Sequence, residues 1–341
     1  MSLIFADNCA SFYSTAAQAT AGLYTTLTAT LATSGLPAGN VGSSAFKNLS
    51  NVTIPFPTTA GPYFVGVRYN PNAVITAGQN FAIWLDASSG QQLTLTTNLD
   101  GTLTARRGGG NGTILGTSSA GTPALVDGVW QYLEFGVKIS STVGTVDIRV
   151  NGISVLSLTG QNTQGTANTT IAAFQMLGGG IANFCQDIYI CDSNGSHNNT
   201  FLGDVHVSQY LATSNGTYTQ YTPNGAGSLY QCVNAATPTD STVFASDNVV
   251  SDKMSVNLDD SSVTGTIAGV ILVGRSEKTD AGTRTANLFA LNNGHEVDGS
   301  SIALATSYKY NTQILEVDPN TGIPFTNAGF NTLEAGITTA S

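Results

Sequence analysis

Glu134 is the first residue to weigh for chemistry. It stands in the stretch YLEFGVK, and glycoside hydrolysis needs two carboxylates about 5 to 9.5 Å apart. No second acid lies two or four residues on, so no same-face pair is built there, and Glu134 reads as a solvent-facing or hydrogen-bonded strand residue. The three histidines, His197, His206 and His295, lie in unrelated settings, with His206 on an expected strand, and no GxSxG occurs. Cys9, Cys185, Cys191 and Cys232 form no CxxC and have no His at ligand spacing, which points to buried thiols. Cys185 and Cys191 are six apart; in a continuous strand they share a face about 20 Å apart, too far for a disulfide. Asp187, Asp192, Asp204, Asp259 and Asp260 offer oxygens to calcium but match no EF-hand loop, so turn and cap roles are expected. Trp84, Trp130 and Tyr132 would stack on a sugar only if they faced outward, and strand aromatics ordinarily fill a core. We therefore expect no catalytic, cofactor-binding or metal-binding residue, and no enzyme.

The elements that would carry these residues are strands. Charged residues make up 9% of the 341, against a usual share of about 25%, while hydrophobic residues reach 41% and glycine is abundant. Such a chain buries a core and keeps a neutral, hydroxyl-rich exterior that is cheap to dry against another protein. A formal net charge of −10 with 11 Lys plus Arg excludes phosphate-driven binding to nucleic acid. The start MSLIFADNCASFY has no basic segment before its apolar residues, so synthesis in the cytosol is expected. The longest apolar stretch, 267–273, is far short of a membrane span.

Alternation of period two predicts strands at 63–69, 81–86, 92–106, 130–139, 146–155, 170–177, 183–191 and 201–210. Asp100–Gly101 predicts a tight hairpin. Asn151–Gly152 predicts a second, with Val150 opposite Ile153 and Ile148 opposite Val155. Residues 14–23 allow a helical turn or two. From 211 to 240 the alternation fades into Asn, Gly, Thr and Pro, which reads as a linker. New strands are expected at 253–258, 263–275, 283–291 and 300–317. A short helix is expected after Thr326 as N-cap, with Phe330, Leu333 and Ile337 at helical spacing. The predicted fold is all-β: an antiparallel sandwich over 1–210, a linker over 211–240, and a smaller β-domain with one short helix over 241–341.

DIYICD at 187–192, followed by FLGDVHV at 201–207, resembles a signature of tailed-bacteriophage virion proteins. DAGTR at 280–284, Ser307–Tyr308 and EVDPNTG at 316–322 match the same family in order. Phe325 and Gln186 depart from it, standing where relatives tend to carry Trp and Asp. The resemblance implies an N-terminal lectin-like jelly roll of the concanavalin and laminin-G type. It also implies a non-enzymatic virion structural protein, a decoration, head-fibre or tail-associated component, made in the host cytoplasm and located in the virion. The partners implied are other capsid or tail subunits and further copies of the chain. The alternative is a module that recognises host-surface glycan.

Overall fold

A computed structural model describes residues 2–9, 13–40, 44–59, 61–235 and 238–341. The chain divides into two compact units. The first comprises residues up to 20 and 24–208, and the second residues 21–23 and 209–341. Both are almost entirely antiparallel β-structure, and among the described residues no helix is long and apolar enough to cross a membrane.

The first unit holds β1 (Leu3–Asp7), β2 (Thr26–Ala32), β3 (Ala45–Thr59), β4 (Tyr63–Pro71), β5 (Asn80–Leu85), β6 (Gln91–Thr97) and β7 (Leu103–Arg107). It continues with β8 (Thr113–Thr117), β9 (Gln131–Lys138), β10 (Gly144–Val150), β11 (Ile153–Gln161), β12 (Ile171–Met176) and β13 (Asn183–Asp192). A one-turn helix α1 (Ala16–Ala19) is capped by the Thr15 side chain, which accepts from the Gln18 N–H. The strands hydrogen-bond in the order β11-β10-β9-β4-β13-β3-β12-β5-β6-β7-β8, with β1 added to β13 and β2 to β3. This long sheet folds over on itself as a jelly-roll-like sandwich. Phe135 of β9 meets Phe81 and Trp84 of β5 edge-on at ring distances of 6.2 and 6.0 Å. The expected stripe Leu133, Phe135 and Val137 lies in this core, fully buried, each side chain contributing roughly 1.5–3 kcal/mol by leaving water.

Several sequence expectations need correction. The β6–β7 hairpin is not one of them: the Asn98 N–H donates to the Thr102 carbonyl and the Gly101 N–H to the Asn98 carbonyl, a tight turn over Leu99, Asp100 and Gly101 with Gly101 at positive φ. Asp100 braces it by accepting from the Thr102 N–H and hydroxyl. Val150 does oppose Ile153, but a bulge at Ile148/Arg149 sets Ile148 against Leu156, and Ile153 is left 60% exposed. Residues 201–210 form no strand. In β13 the register shifts between Gln186 and Tyr189, so Cys185 pairs with the core residue Tyr69 while Cys191 pairs with Phe64. The two cysteines thus take opposite faces, and none of the four forms a disulfide among the described residues.

The second unit contains β14 (Ala212–Thr219), β15 (Thr222–Asn224), β16 (Phe244–Ser246), β17 (Lys253–Leu258), β18 (Val270–Ser276) and β19 (Thr285–Asn292). It is completed by β20 (His295–Asp298), β21 (Ile302–Ala303), β22 (Lys309–Leu315) and β23 (Leu333–Thr339). Its main sheet runs β14-β17-β23-β19-β20, with β21 beside β19 and β18–β22 as a separate ribbon. The stretch read as a linker is therefore structured: β14 pairs with β17, and Leu229 is buried with Met254 and Val256. Tertiary pairing overrides the local weakness of ATSNGTYT. The helix after Thr326 is a single turn, α2 (Asn327–Phe330), and Leu333 and Ile337 belong to β23 instead. Phe330 and Leu333 pack with Val270, Leu272 and Phe325, so their apolar spacing reports a shared core rather than a continuing helix.

Gly66 on β4 tests how tightly the outer side of the first sheet is packed. A Cβ there would lie 2.0 Å from the Tyr189 ring, and that ring is held by its hydroxyl. Gly66→Ala is expected to destabilise the first unit by about 1–3 kcal/mol in urea unfolding. Gly121→Ala, whose Cβ would meet only Ser119 Oγ at 3.6 Å, should have little effect.

Candidate functional site

Glu134 and Asp187 both lie on the outer face of the β9-β4-β13 sheet, yet both are buried. The residues that bury them come from 201–207, which crosses this face as an extended strap. Phe201 anchors it, edge-on to Phe64 at 4.9 Å and beneath the Arg149 guanidinium at 3.8 Å. Gly136 makes room, since a Cβ there would lie 2.7 Å from the Phe201 ring. The Gly203 N–H and the Tyr189 hydroxyl donate to Glu134 Oε1 at 2.8 and 2.5 Å. The Leu202 N–H donates to the Tyr189 hydroxyl at 3.0 Å.

Asp187 sits in the β13 bulge with a left-handed φ of 49°. Its Oδ1 accepts the Val207 N–H at 3.0 Å, and its Oδ2 meets Arg68 Nε at 3.3 Å and His206 Nδ1 at 3.2 Å. Arg68 also pairs with Asp204 and lies over the Tyr132 ring. The Asp187 hydrogen bond lifts His206 above the usual imidazole range, opposed by partial burial. Every member of this cluster is engaged by another, which makes it a clamp that closes the sandwich.

The other sequence candidates scatter. Asp192 accepts from the Asn194 backbone and side-chain amides at 2.9 and 2.6 Å, a turn role. Asp259, Asp260 and His295 are exposed, and His197 is half-buried in a loop. Trp84 and Tyr132 are buried, and Trp130 is half-buried against Phe184. Among the described residues no three His, Cys, Asp or Glu side chains are grouped to hold a metal.

An open cleft of about 470 Å³ lies on the polar face of the second unit's sheet, lined in part by Thr217, Tyr218, Asn257, Asn293, Thr332 and Glu334. Glu334 builds it. Its carboxylate accepts from the Thr217 N–H and hydroxyl, both at 2.7 Å, and from the Ser255 hydroxyl at 2.6 Å. Those bonds pin the irregular stretch of β14 between Asn215 and Thr219, and Gly216 leaves the carboxylate its space. Tyr218 then stands edge-on to Phe289 at 5.7 Å, and Phe289 fits beneath Gly336. On the far side Asn292 pairs with His295, so Asn293 and Gly294, both at positive φ, make a two-residue turn.

Asn257 spends its amide hydrogens on Ser214 Oγ and the Asn215 carbonyl at 3.0 and 2.9 Å, leaving its own carbonyl oxygen available. Among the described residues the Tyr218 hydroxyl and the Asn293 amide make no hydrogen bond. Sequence reasoning missed this site because Thr217 and Tyr218 fall in the presumed linker; the Asn293–Gly294 dipeptide was the available signal.

No family model matches the sequence, and no curated protein does. Solved structures similar to part of the chain include the Caenorhabditis elegans galectin LEC-6, at 17% identity over 45% of this chain and 99% of the galectin, with a TM-score of 0.31. Alginate lyase Aly36B is similar at 11% identity over 60% of this chain and 98% of the lyase, TM-score 0.34. A carbohydrate esterase from Shiga toxin-encoding bacteriophage phi24B is similar at 14% identity over 49% and 87%, TM-score 0.33. At these scores none of them bears on activity.

The clamp predicts a pH dependence. A histidine whose folded pKa is raised contributes stability that is fully present below its unfolded value and lost as pH rises through the folded value. The stability gap between the wild type and His206→Gln should therefore be larger at about pH 5.5 than at about pH 8.5. Equal gaps in chemical unfolding at the two pH values would show that His206 is not held by Asp187.

Proposed function

We propose that this chain is a non-enzymatic recognition protein that holds carbohydrate in the cleft of its second unit. The observation that carries the proposal is the lining: a free phenol, a free carboxamide and an unused amide carbonyl arranged around a fixed carboxylate. Sugar hydroxyls are donors and acceptors together, and they suit amide and carboxylate partners set on rigid strands. Among the described residues Glu334 is the one carboxylate lining the cleft, and it already accepts three hydrogen bonds, which does not suit paired acid–base chemistry. In unit one, Glu134 and Asp187 are covered by the strap.

In its fuller form the proposal places the protein on the surface of a tailed-phage particle, as the sequence resemblance implies. A second reading, a structural subunit that covers or bridges capsid or tail neighbours, is favoured by one end of the first sandwich. There Val74, Leu99 and Val129 on neighbouring loops and Ile153 at the start of β11 are 80, 75, 47 and 60% exposed. Backbone bonds from Gly128 to Pro71, Leu125 to Gly101 and Asn151 to Tyr132 gather those loops. Such an apolar contact would resist moderate salt, unlike one steered by charge.

A glycan array followed by calorimetry tests the main proposal. Binding is expected, and Tyr218→Phe, which keeps the ring on Phe289, and Asn293→Gly, which suits the left-handed turn position, should each weaken it roughly tenfold or more while leaving the unfolding transition in place. Binding that ignores both substitutions would move the site elsewhere. Absence of binding together with copurification with particles in high salt would favour the subunit.

A further inference from the structure

We infer that the cleft selects neutral sugars and rejects those bearing carboxylate or sulfate groups; this rests on the carbohydrate reading above. The cleft's hydrogen-bonding inventory is lopsided. A carboxylate offers about four acceptor positions, and three of Glu334's are filled by Thr217 and Ser255, leaving room for one more donor. The Asn257 carbonyl is a second open acceptor, because both amide hydrogens of that side chain point to Ser214 and Asn215. Against these acceptors stand the Tyr218 hydroxyl and the Asn293 amide, both uncharged donors.

Among the described residues no Lys, Arg or His lines the cleft. Lys253 lies on the same sheet but is committed: it forms an ion pair with Glu296, and its ammonium rests 5.1 and 5.3 Å from the Tyr218 and Phe289 rings. Glu296 holds the Lys253 ammonium above its usual range, so that charge stays occupied by its partner. A ligand anion would thus meet Glu334 with no cation to offset it, on a chain of net charge −10. Hydroxyl groups, by contrast, supply the donors that Glu334 and Asn257 lack. Leu291, buried beneath the cleft, gives it an apolar floor. Discrimination here comes from a repulsive element built into the site as much as from attraction.

The test uses the full chain on an array of matched neutral and acidic oligosaccharides, with calorimetry on the pairs that respond. Neutral members should bind at least roughly tenfold tighter than their carboxylate- or sulfate-bearing counterparts. Asn293→Lys puts an ammonium on the exposed rim and should raise affinity for the acidic members roughly fivefold or more, with thermal unfolding checking that the left-handed turn still forms. Glu334→Gln should narrow the gap from the other side, with circular dichroism checking that β14 stays folded. Acidic members binding as well as or better than neutral ones, or no gain from Asn293→Lys, would overturn the selectivity while leaving carbohydrate recognition standing. No response from either class would overturn the carbohydrate reading itself.

Discussion

The architecture turns on carboxylates that are removed from water and must be answered by the chain's own donors. Leaving such a group buried and unpaired costs on the order of 3–5 kcal/mol, a large part of a domain's total stability. On the first sandwich, Asp187 is fully buried and Glu134 almost so, on a sheet whose opposite face already packs Leu133, Phe135 and Val137. The β4, β9 and β13 strands can be covered on both faces only because the strap brings the Gly203 and Val207 N–H groups to those two acids. Arg68 and the Tyr189 hydroxyl complete the count. Gly66 and Gly136 are the steric counterpart, leaving space where Tyr189 and Phe201 lie.

A half-buried carboxylate that gathers donors in the same way builds the second unit's cleft, with the opposite outcome. Glu334 gathers donors from the irregular part of β14 and from Ser255, and this holds Tyr218 on its face of the sheet instead of closing over it. In one unit satisfied acids seal a surface; in the other they hold one open. Rigid strands carry the lining, so little ordering would be needed on binding, which favours affinity from few contacts.

Most of the first sandwich is legible in the sequence, because its strands alternate and its turns carry Asn–Gly and Asp–Gly. Bulges are what alternation cannot show: the shifts at Ile148/Arg149 and Gln186/Tyr189 change which residues share a face, and with them the placement of Leu156 and Cys191. FLGDVHV alternates like a strand yet pairs with none, since its partners are side chains of the sheet beneath it. Two of the motifs that carry the phage resemblance, DIYICD and FLGDVHV, fall in this clamp and speak to how the sandwich closes, while DAGTR, Ser307–Tyr308 and EVDPNTG lie in the second unit. The cleft was hidden for a different reason. Thr217 and Tyr218 occur in a stretch with weak local preference, made into strand by its pairing with β17, and Glu334 falls inside the span expected to be helical after Thr326, where the helix stops at Phe330 and a strand begins at Leu333.

Hydrogen–deuterium exchange with and without a bound oligosaccharide tests the central claim most directly. The account predicts slowed exchange confined to the backbone around 215–219, 291–295 and 331–335, with the first unit unchanged. Slowing confined to the loops of the first sandwich, or none in the second unit at saturating sugar, would contradict it.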